Sequence, residues 1–387
     1  MDLRKTALCA ISFICLQIAT NAAAPFIAGA DFSDLAFFES RGATYKDGGQ
    51  AQDAFQILKN HGINCIRLRL FTSSAEQAVA DPYNHINNTA YTVPLAVRVK
   101  NAGLQFSLDF HYSDTWADPG KQATPSAWRN LDFPQLVHQM YLYNSNTIAT
   151  FAAAGAMPDY VQVGNEITPG MLWPRGKLRK DDTNSWSRLG QLMKSAIQGI
   201  DDASIAAGAH RPKIIIHIDR GGDWKATKWF FDHLNAQGVP YDMIGESYYP
   251  FFHGSPDSLN NCLSNAAVRF GKPVVVAEDA FPWTNACPAN WTNHLFGVPP
   301  TVNGQASFVA NVGDILKNVP NHLGAGYFYW GSEYQSVNHV HEGGYNTSSF
   351  FDFNGNVLPV VDAIGAMAGP RPARSLVQGQ SAEPMGN

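Results

Sequence analysis

Two glutamates each close a β-branched apolar run: Glu166 ends Tyr160-Val-Gln-Val-Gly-Asn-Glu166, and Glu278 ends Val274-Val-Val-Ala-Glu278. Each run has the length and composition of a buried strand. A carboxylate where such a strand surfaces is costly to bury unless something specific uses it. Two of them facing one cleft are the equipment for cleaving a glycosidic bond. Retaining hydrolysis needs one carboxyl protonated and one ionised, about 5–5.5 Å apart. A single strand-end carboxylate is more often a cap or an ion-pair partner, so the reading depends on what accompanies the pair.

Other apolar runs end in the same way. The second carries Arg67 and Arg69, and the third ends in Asp109-Phe-His111-Tyr112-Ser-Asp114. Asn165 precedes Glu166, and further runs end in His217-Ile-Asp219, Tyr248-Tyr249 and Trp330. Packing alone is a poor explanation for polar and aromatic residues at so many successive strand ends. Trp116, Trp173 and Trp330 offer indole faces to the apolar faces of sugars, with core or rim packing as the alternative. Asp109 with His111, and His217 with Asp219, are spaced two apart on a strand face and could contribute to a metal site. No His-x-x-x-His or cysteine pair accompanies them, and a hydrogen-bond network explains them equally well. No metal and no cofactor are expected. The absence of a Gly-x-Ser-x-Gly elbow disfavours a serine esterase.

The elements that must position these residues alternate along the chain. Strands are predicted at Ile27–Phe32, Cys65–Phe71, Gln105–Tyr112, Tyr160–Ile167, Lys213–Ile218, Met243–Tyr249, Pro273–Glu278 and Gly324–Trp330. Helical spacing falls at Gln52–Asn60, Val93–Asn101, Leu136–Ala153, Trp186–Ala207, Trp229–Gln237 and Gln305–Asn318. Such alternation calls for parallel strands joined by crossover helices. Eight strands fit an α/β fold of the (β/α)8 TIM-barrel type, one domain with enlarged βα loops, whose functional residues gather at the C-terminal strand ends. A doubly wound sheet is the competitor, but Asp31-Phe-Ser-Asp-Leu after the first strand cannot cradle a pyrophosphate. Glycines 62, 103, 238 and 271 stand where helices should stop before the next strand.

Bulk properties narrow the class. The chain has 387 residues, 45% hydrophobic and only 15% charged, with a formal net charge of −5. No basic stripe occurs, which argues against a nucleic-acid partner. Arg4 and Lys5, an apolar stretch over 7–19 and Ala22-Ala-Ala24 read as a secretory signal peptide spanning 1–24. That stretch is short for a membrane anchor, so a secreted protein (extracellular or periplasmic) with no membrane attachment after cleavage is expected. Cys65, Cys262 and Cys287 then remain. Cys65 lies in an apolar run, whereas Cys262 and Cys287 flank the Glu278 strand and are the candidate disulfide, although spacing cannot prove it. Asn87, Asn290 and Asn346 begin glycosylation sequons. The catalytic domain is placed at 25–370. Residues 371–387, rich in Pro, Gln, Ser and Gly, read as a disordered tail. A monomer is expected.

Longer strings are more specific. Gly62-Ile-Asn-Cys-Ile-Arg-Leu-Arg, Asp109-Phe-His-Tyr-Ser-Asp-Thr-Trp-Ala-Asp-Pro119 and Val163-Gly-Asn-Glu-Ile, with Met171-Leu-Trp-Pro, His217-Ile-Asp219, Ser247-Tyr-Tyr-Pro-Phe and Tyr329-Trp330, span Gly29 to Asp362. In these the chain resembles family 53 glycoside hydrolases, the endo-β-1,4-galactanases that act on β-1,4-galactan (type I arabinogalactan), the side chains of pectin. The resemblance implies a retaining mechanism with Glu166 as acid/base and Glu278 as nucleophile. Asn165, Arg67 and Tyr249 would support the pair. Departures from the family pattern are Asp279 after the nucleophile, where like charge could raise the local pKa, Gly331-Ser-Glu after Trp330, Arg220-Gly-Gly-Asp-Trp after strand five, and the loop Tyr334–Ser349. They leave open a related β-glycanase with another substrate, or a sugar-binding homologue that has lost catalysis. No clear calcium ligand set is visible.

Overall fold

The computed structural model describes residues 25–337, 340 and 343–369; the expected signal peptide and the tail lie outside them. Eight parallel strands close a barrel: β1 (Ile27–Asp31), β2 (Cys65–Leu70), β3 (Gln105–Phe110), β4 (Tyr160–Val163), β5 (Lys213–Ile218), β6 (Met243–Ser247), β7 (Val274–Glu278) and β8 (Gly324–Tyr329). Each pairs with its sequence neighbours, and β8 returns to β1. Crossover helices cover the outside: α1 (Ala54–Asn60), α2 (Thr89–Asn101), α3 (Phe133–Ala153), α4 (Ser185–Ala206), α5 (Trp224–Ala236), α6 (Pro256–Phe270) and α7 (Val302–Lys317), with α8 (Val360–Gly365) after the last strand. The fold is a (β/α)8 TIM barrel. All four anticipated helix-stop glycines take positive φ, from 60° to 91°, a conformation that penalises a Cβ. Helix α6 was anticipated only at its end, by the stop at Gly271; Ser255 caps its start through the Ser258 amide at 3.2 Å.

Strand composition follows from having two different faces. In β2, Ile66, Leu68 and Leu70 pack outward against helices, while Cys65, Arg67 and Arg69 point inward. The inner face has an apolar floor at the N-terminal end. Ile27, Cys65, Tyr160, Ile215, Met243, Val275 and Phe328 form one buried cluster there. Gly29 makes room for it, since a Cβ at that position would sit 2.4 Å from the Phe328 ring. Above this floor the inward residues become polar.

The expected disulfide does not form; Cys65, Cys262 and Cys287 are all free. Cys262 faces α5 from within α6, its thiol reaching Thr227 Oγ1 at 3.3 Å and the Arg220 carbonyl at 3.5 Å. Asn87 is fully buried and donates to the Ser33 carbonyl at 2.8 Å, so this sequon cannot carry a glycan in the folded chain. Among the described residues, no helix is long and apolar enough to cross a membrane.

Candidate active site

The polar layer is organised by Arg67, fully buried at the centre of the barrel. Its Nε donates to Gln162 Oε1 at 2.5 Å and its Nη1 to Asp31 Oδ2 at 2.8 Å. Its Nη2 faces Asp109 Oδ2 (2.9 Å), Asn165 Oδ1 (3.0 Å) and Glu278 Oε1 (2.8 Å). The rigid guanidinium fork suits this task, because five N–H donors in one plane can serve acceptors from several strands. Asn165 is fixed from both ends, its Nδ2 donating to the Ala117 carbonyl at 2.8 Å.

A β-bulge decides which carboxylate of the Glu278–Asp279 pair enters this layer. In the register between β6 and β7, Gly245 lies opposite Val275 and Glu246 opposite Val276, but Ser247 lies opposite Glu278. Ala277 is the extra residue, and it re-aims the side chains that follow. Strict alternation from the inward Val275 would have turned Glu278 outward and Asp279 inward. Instead, Glu278 meets Arg67 and accepts from the Tyr249 hydroxyl at 2.9 Å. Asp279 is buried behind the strand, where the Tyr327 hydroxyl donates to its Oδ2 at 2.9 Å.

Glu166 is presented by a turn rather than by a strand. β4 stops at Val163; Gly164 has φ 94° and Glu166 itself φ 48°, a region non-glycine residues occupy rarely and mostly where function over-determines it. Its Oε1 accepts from Ser247 Oγ at 2.6 Å, and Ser247 Oγ in turn lies 2.8 Å from His217 Nε2. Burial, then Arg67, pushes the His217 pKa well down, so the ring is neutral. With Ser247 donating to Glu166, that ring must carry its proton on Nε2 and donate to the serine oxygen.

The electrostatics separate the two glutamates. Burial raises both carboxyl pKa values. For Glu166 it is reinforced by Glu278 and Asp219, and only the Ser247 bond opposes it. For Glu278 the Arg67 guanidinium and the Tyr249 hydroxyl oppose burial, while Asp109 and Asp31 add to it. Glu166 is therefore the member pushed up further, and a single proton shared by the pair resides there. Asp109 is also buried, yet Arg67 and His111 outweigh that and hold it down at about 2. Asp279 departs from the like-charge expectation: burial raises its own pKa well above the usual carboxyl range, against the opposing Tyr327 hydrogen bond.

Glu166 and Glu278 line one open cleft of about 510 Å³, together with Asn165, His111, Asp219, Tyr249, Trp116 and Trp330. Arg67, Asp109 and His217 lie beneath it. Arg69 stands one layer away, paired with Asp34 and with its guanidinium 4.0 Å from the Trp116 ring centre. Four sequence candidates do not reach the cleft. Tyr112 faces α3 and donates to Asn144 Oδ1 at 2.8 Å, and Tyr248 donates to the Gly254 carbonyl at 2.9 Å. Asp114 accepts from Ser126 Oγ in its own loop and from Thr72 Oγ1 in the loop after β2, tying the two loops together. Trp173 lies in the loop after β4 beneath the Lys177 ammonium, 3.7 Å from its ring centre. Residues missed by sequence include Ser247, Gln162 and Asp31, whose inward position was readable from strand alternation, and Tyr345, from the poorly matching loop, which stacks edge-on to Trp330 at 4.4 Å. Among the described residues, no group of three His, Cys, Asp or Glu is placed to hold a metal ion.

Comparison with known proteins places the chain among relatives. The profile of glycosyl hydrolase family 53 matches residues 27–364. An arabinogalactan endo-β-1,4-galactanase of Humicola insolens is 36% identical over 312 residues, 78% of this chain and 88% of the relative. A Niallia circulans protein named for the bgaB 5′ region is 40% identical over 358 residues, covering 88% and 94%. The solved catalytic domain of an Ignisphaera aggregans family 53 enzyme superposes with a TM-score of 0.80 at 32% identity, covering 88% of this chain and 95% of that one.

Proposed function

The chain belongs to glycosyl hydrolase family 53 and is a glycoside hydrolase, and we propose that it is a secreted, retaining endo-β-1,4-galactanase acting as a monomer on β-1,4-galactan. The observation that carries the mechanism is the asymmetry of the two carboxyls. Glu278 has a guanidinium on one oxygen and a phenol on the other, whereas Glu166 has only a serine hydroxyl. In the first step Glu166 gives its proton to the glycosidic oxygen as the C1–O bond breaks. A Glu278 oxygen bonds to C1 from the opposite face, forming a glycosyl-enzyme. In the second step Glu166, now ionised, takes a proton from water, whose oxygen displaces Glu278 from C1 and restores the starting configuration. Asn165 has two amide N–H groups and spends one on Ala117; the other is available to the sugar 2-hydroxyl. Trp116 and Trp330 supply stacking faces. The galactan preference rests on the named relatives, and secretion rests on the N-terminal sequence.

The test is release of reducing ends from unbranched β-1,4-galactan, beside β-1,4-xylan and β-1,4-mannan. Wild type should cleave galactan, and Glu278→Ala should lose essentially all of that rate. The first product anomer seen by NMR should be β. Near-wild-type activity in Glu278→Ala, or an α product, sinks the mechanism; preference for another polymer sinks the substrate assignment.

A further inference from the structure

A second cavity, of about 490 Å³, lies on the same rim of the barrel beside the loop after β4. Trp186, in the first turn of α4, and Trp229 and His233, on α5, form its aromatic wall. The two indoles meet edge to face at 5.2 Å, and the imidazole stacks on Trp186 at 5.0 Å. Arg179, Lys180 and Asp182 also line it. Helix α5 does not need Trp229 for its core: Thr227, Phe230, Phe231 and Leu234 are its buried residues, while Trp229 is 42% exposed. Trp229 is the one exposed tryptophan among the described residues, and it borders a concavity whose other wall residues include a second indole and an imidazole, the kind of setting in which ligands bind.

Its place relative to the catalytic cleft identifies the occupant. Thr168 lines this second cavity, and its hydroxyl donates to Asp219 Oδ1 at 2.5 Å, a carboxylate that lines the first. The two cavities therefore share a wall. Glu166 stands two residues before Thr168 in the same loop, on the side where the leaving half of a cleaved chain must lie if Glu166 protonates its oxygen. Trp116, Trp330 and Tyr345, in mutual ring contact, line the first cavity and not the second. An exposed aromatic face bordered by cationic donors matches a pyranose, which has an apolar face and a ring of hydroxyls.

We propose that Trp186 and Trp229 form a distal binding site for the leaving side of a long galactan chain, outside the reach of short oligosaccharides. The proposal rests on the galactanase reading above. Trp229→Ala tests it in the full-length chain, with circular dichroism and thermal melting checking the fold. Losing the stacked indole should raise the KM for polymeric galactan roughly tenfold, from the apolar area such a ring covers. The kcat on the polymer and both constants on a short galacto-oligosaccharide should stay put. A polymer KM within about twofold of wild type overturns the proposal; equal losses on polymer and oligosaccharide overturn it as well. Electrophoresis through galactan-containing gel separates this from failure of the substrate reading. If wild type does not cleave galactan but is retarded by it, and Trp229→Ala is not, the binding site stands alone. If neither is retarded, the proposal falls.

Discussion

Replacing Tyr249 by Phe removes one oxygen and leaves the ring in place. That oxygen donates to Glu278 Oε2 at 2.9 Å inside the cleft wall. Burial and the neighbouring Glu278 raise the phenol pKa well above its ordinary value, so it remains a donor throughout the working range. A hydrogen bond to a charged acceptor contributes about 1.5–3 kcal/mol, and one pKa unit corresponds to about 1.4 kcal/mol. The bond favours the ionised carboxylate, so losing it should raise the Glu278 pKa by about one to two units. The lower end applies if cleft water replaces the phenol. Glu278 must be ionised to attack; the acid limb of the kcat/KM–pH profile should move up by that amount, while the alkaline limb, which reports Glu166, stays. The bell narrows from one side. The assay is initial reducing-end release from galactan across the pH range at substrate levels below KM. An acid limb that moves by less than about 0.3 pH units refutes the role of Tyr249; movement of the alkaline limb instead means that the two glutamates are assigned the wrong way round.

Two further substitutions separate the remaining groups. Ser247→Ala removes the hydroxyl that steadies ionised Glu166; the Glu166 pKa should rise further and carry the alkaline limb up by about one pH unit, with the acid limb fixed. Asp279→Asn should leave both limbs in place and change stability by less than about 1 kcal/mol by chemical denaturation, because burial already disfavours the charged form there and asparagine has the same shape. An acid limb that falls in this variant would restore like-charge repulsion from Asp279.

The barrel was legible because parallel strands covered by helices must be apolar on their outer face, and eight such runs stand out along the chain. Most of the inner layer is equally readable from the alternation of side chains along each strand. In β3, inward Ser107 and Asp109 imply that His111 faces in and Tyr112 faces out; in β6, inward Gly245 and Ser247 do the same for Tyr249 and Tyr248. The strand-end motifs hide that alternation because polar and aromatic residues follow one another on both faces. Ser247 was overlooked because a serine at a strand end announces nothing until Glu166 is placed beside it. The bulge at Ala277 is a different matter. Nothing in Val274-Val-Val-Ala-Glu278 signals an extra residue, and periodicity alone selects Asp279 for the cleft. The Cys262–Cys287 pairing failed for a similar reason, since sequence places both near β7 but cannot show that Cys262 points at Thr227.

The apolar floor beneath Arg67 makes the polar layer a well with one opening. Phe328 and Ile27 close the bottom where Gly29 lets them meet. Arg67, Asp109 and Glu278 stand between this floor and the cleft that Glu278 lines, so on the proposed reading a polysaccharide across the cleft would stand between them and bulk solvent. The proposed reaction itself sends one proton out on the departing sugar and takes one back from water. Buffer identity should matter to the free enzyme and become irrelevant once substrate is seated.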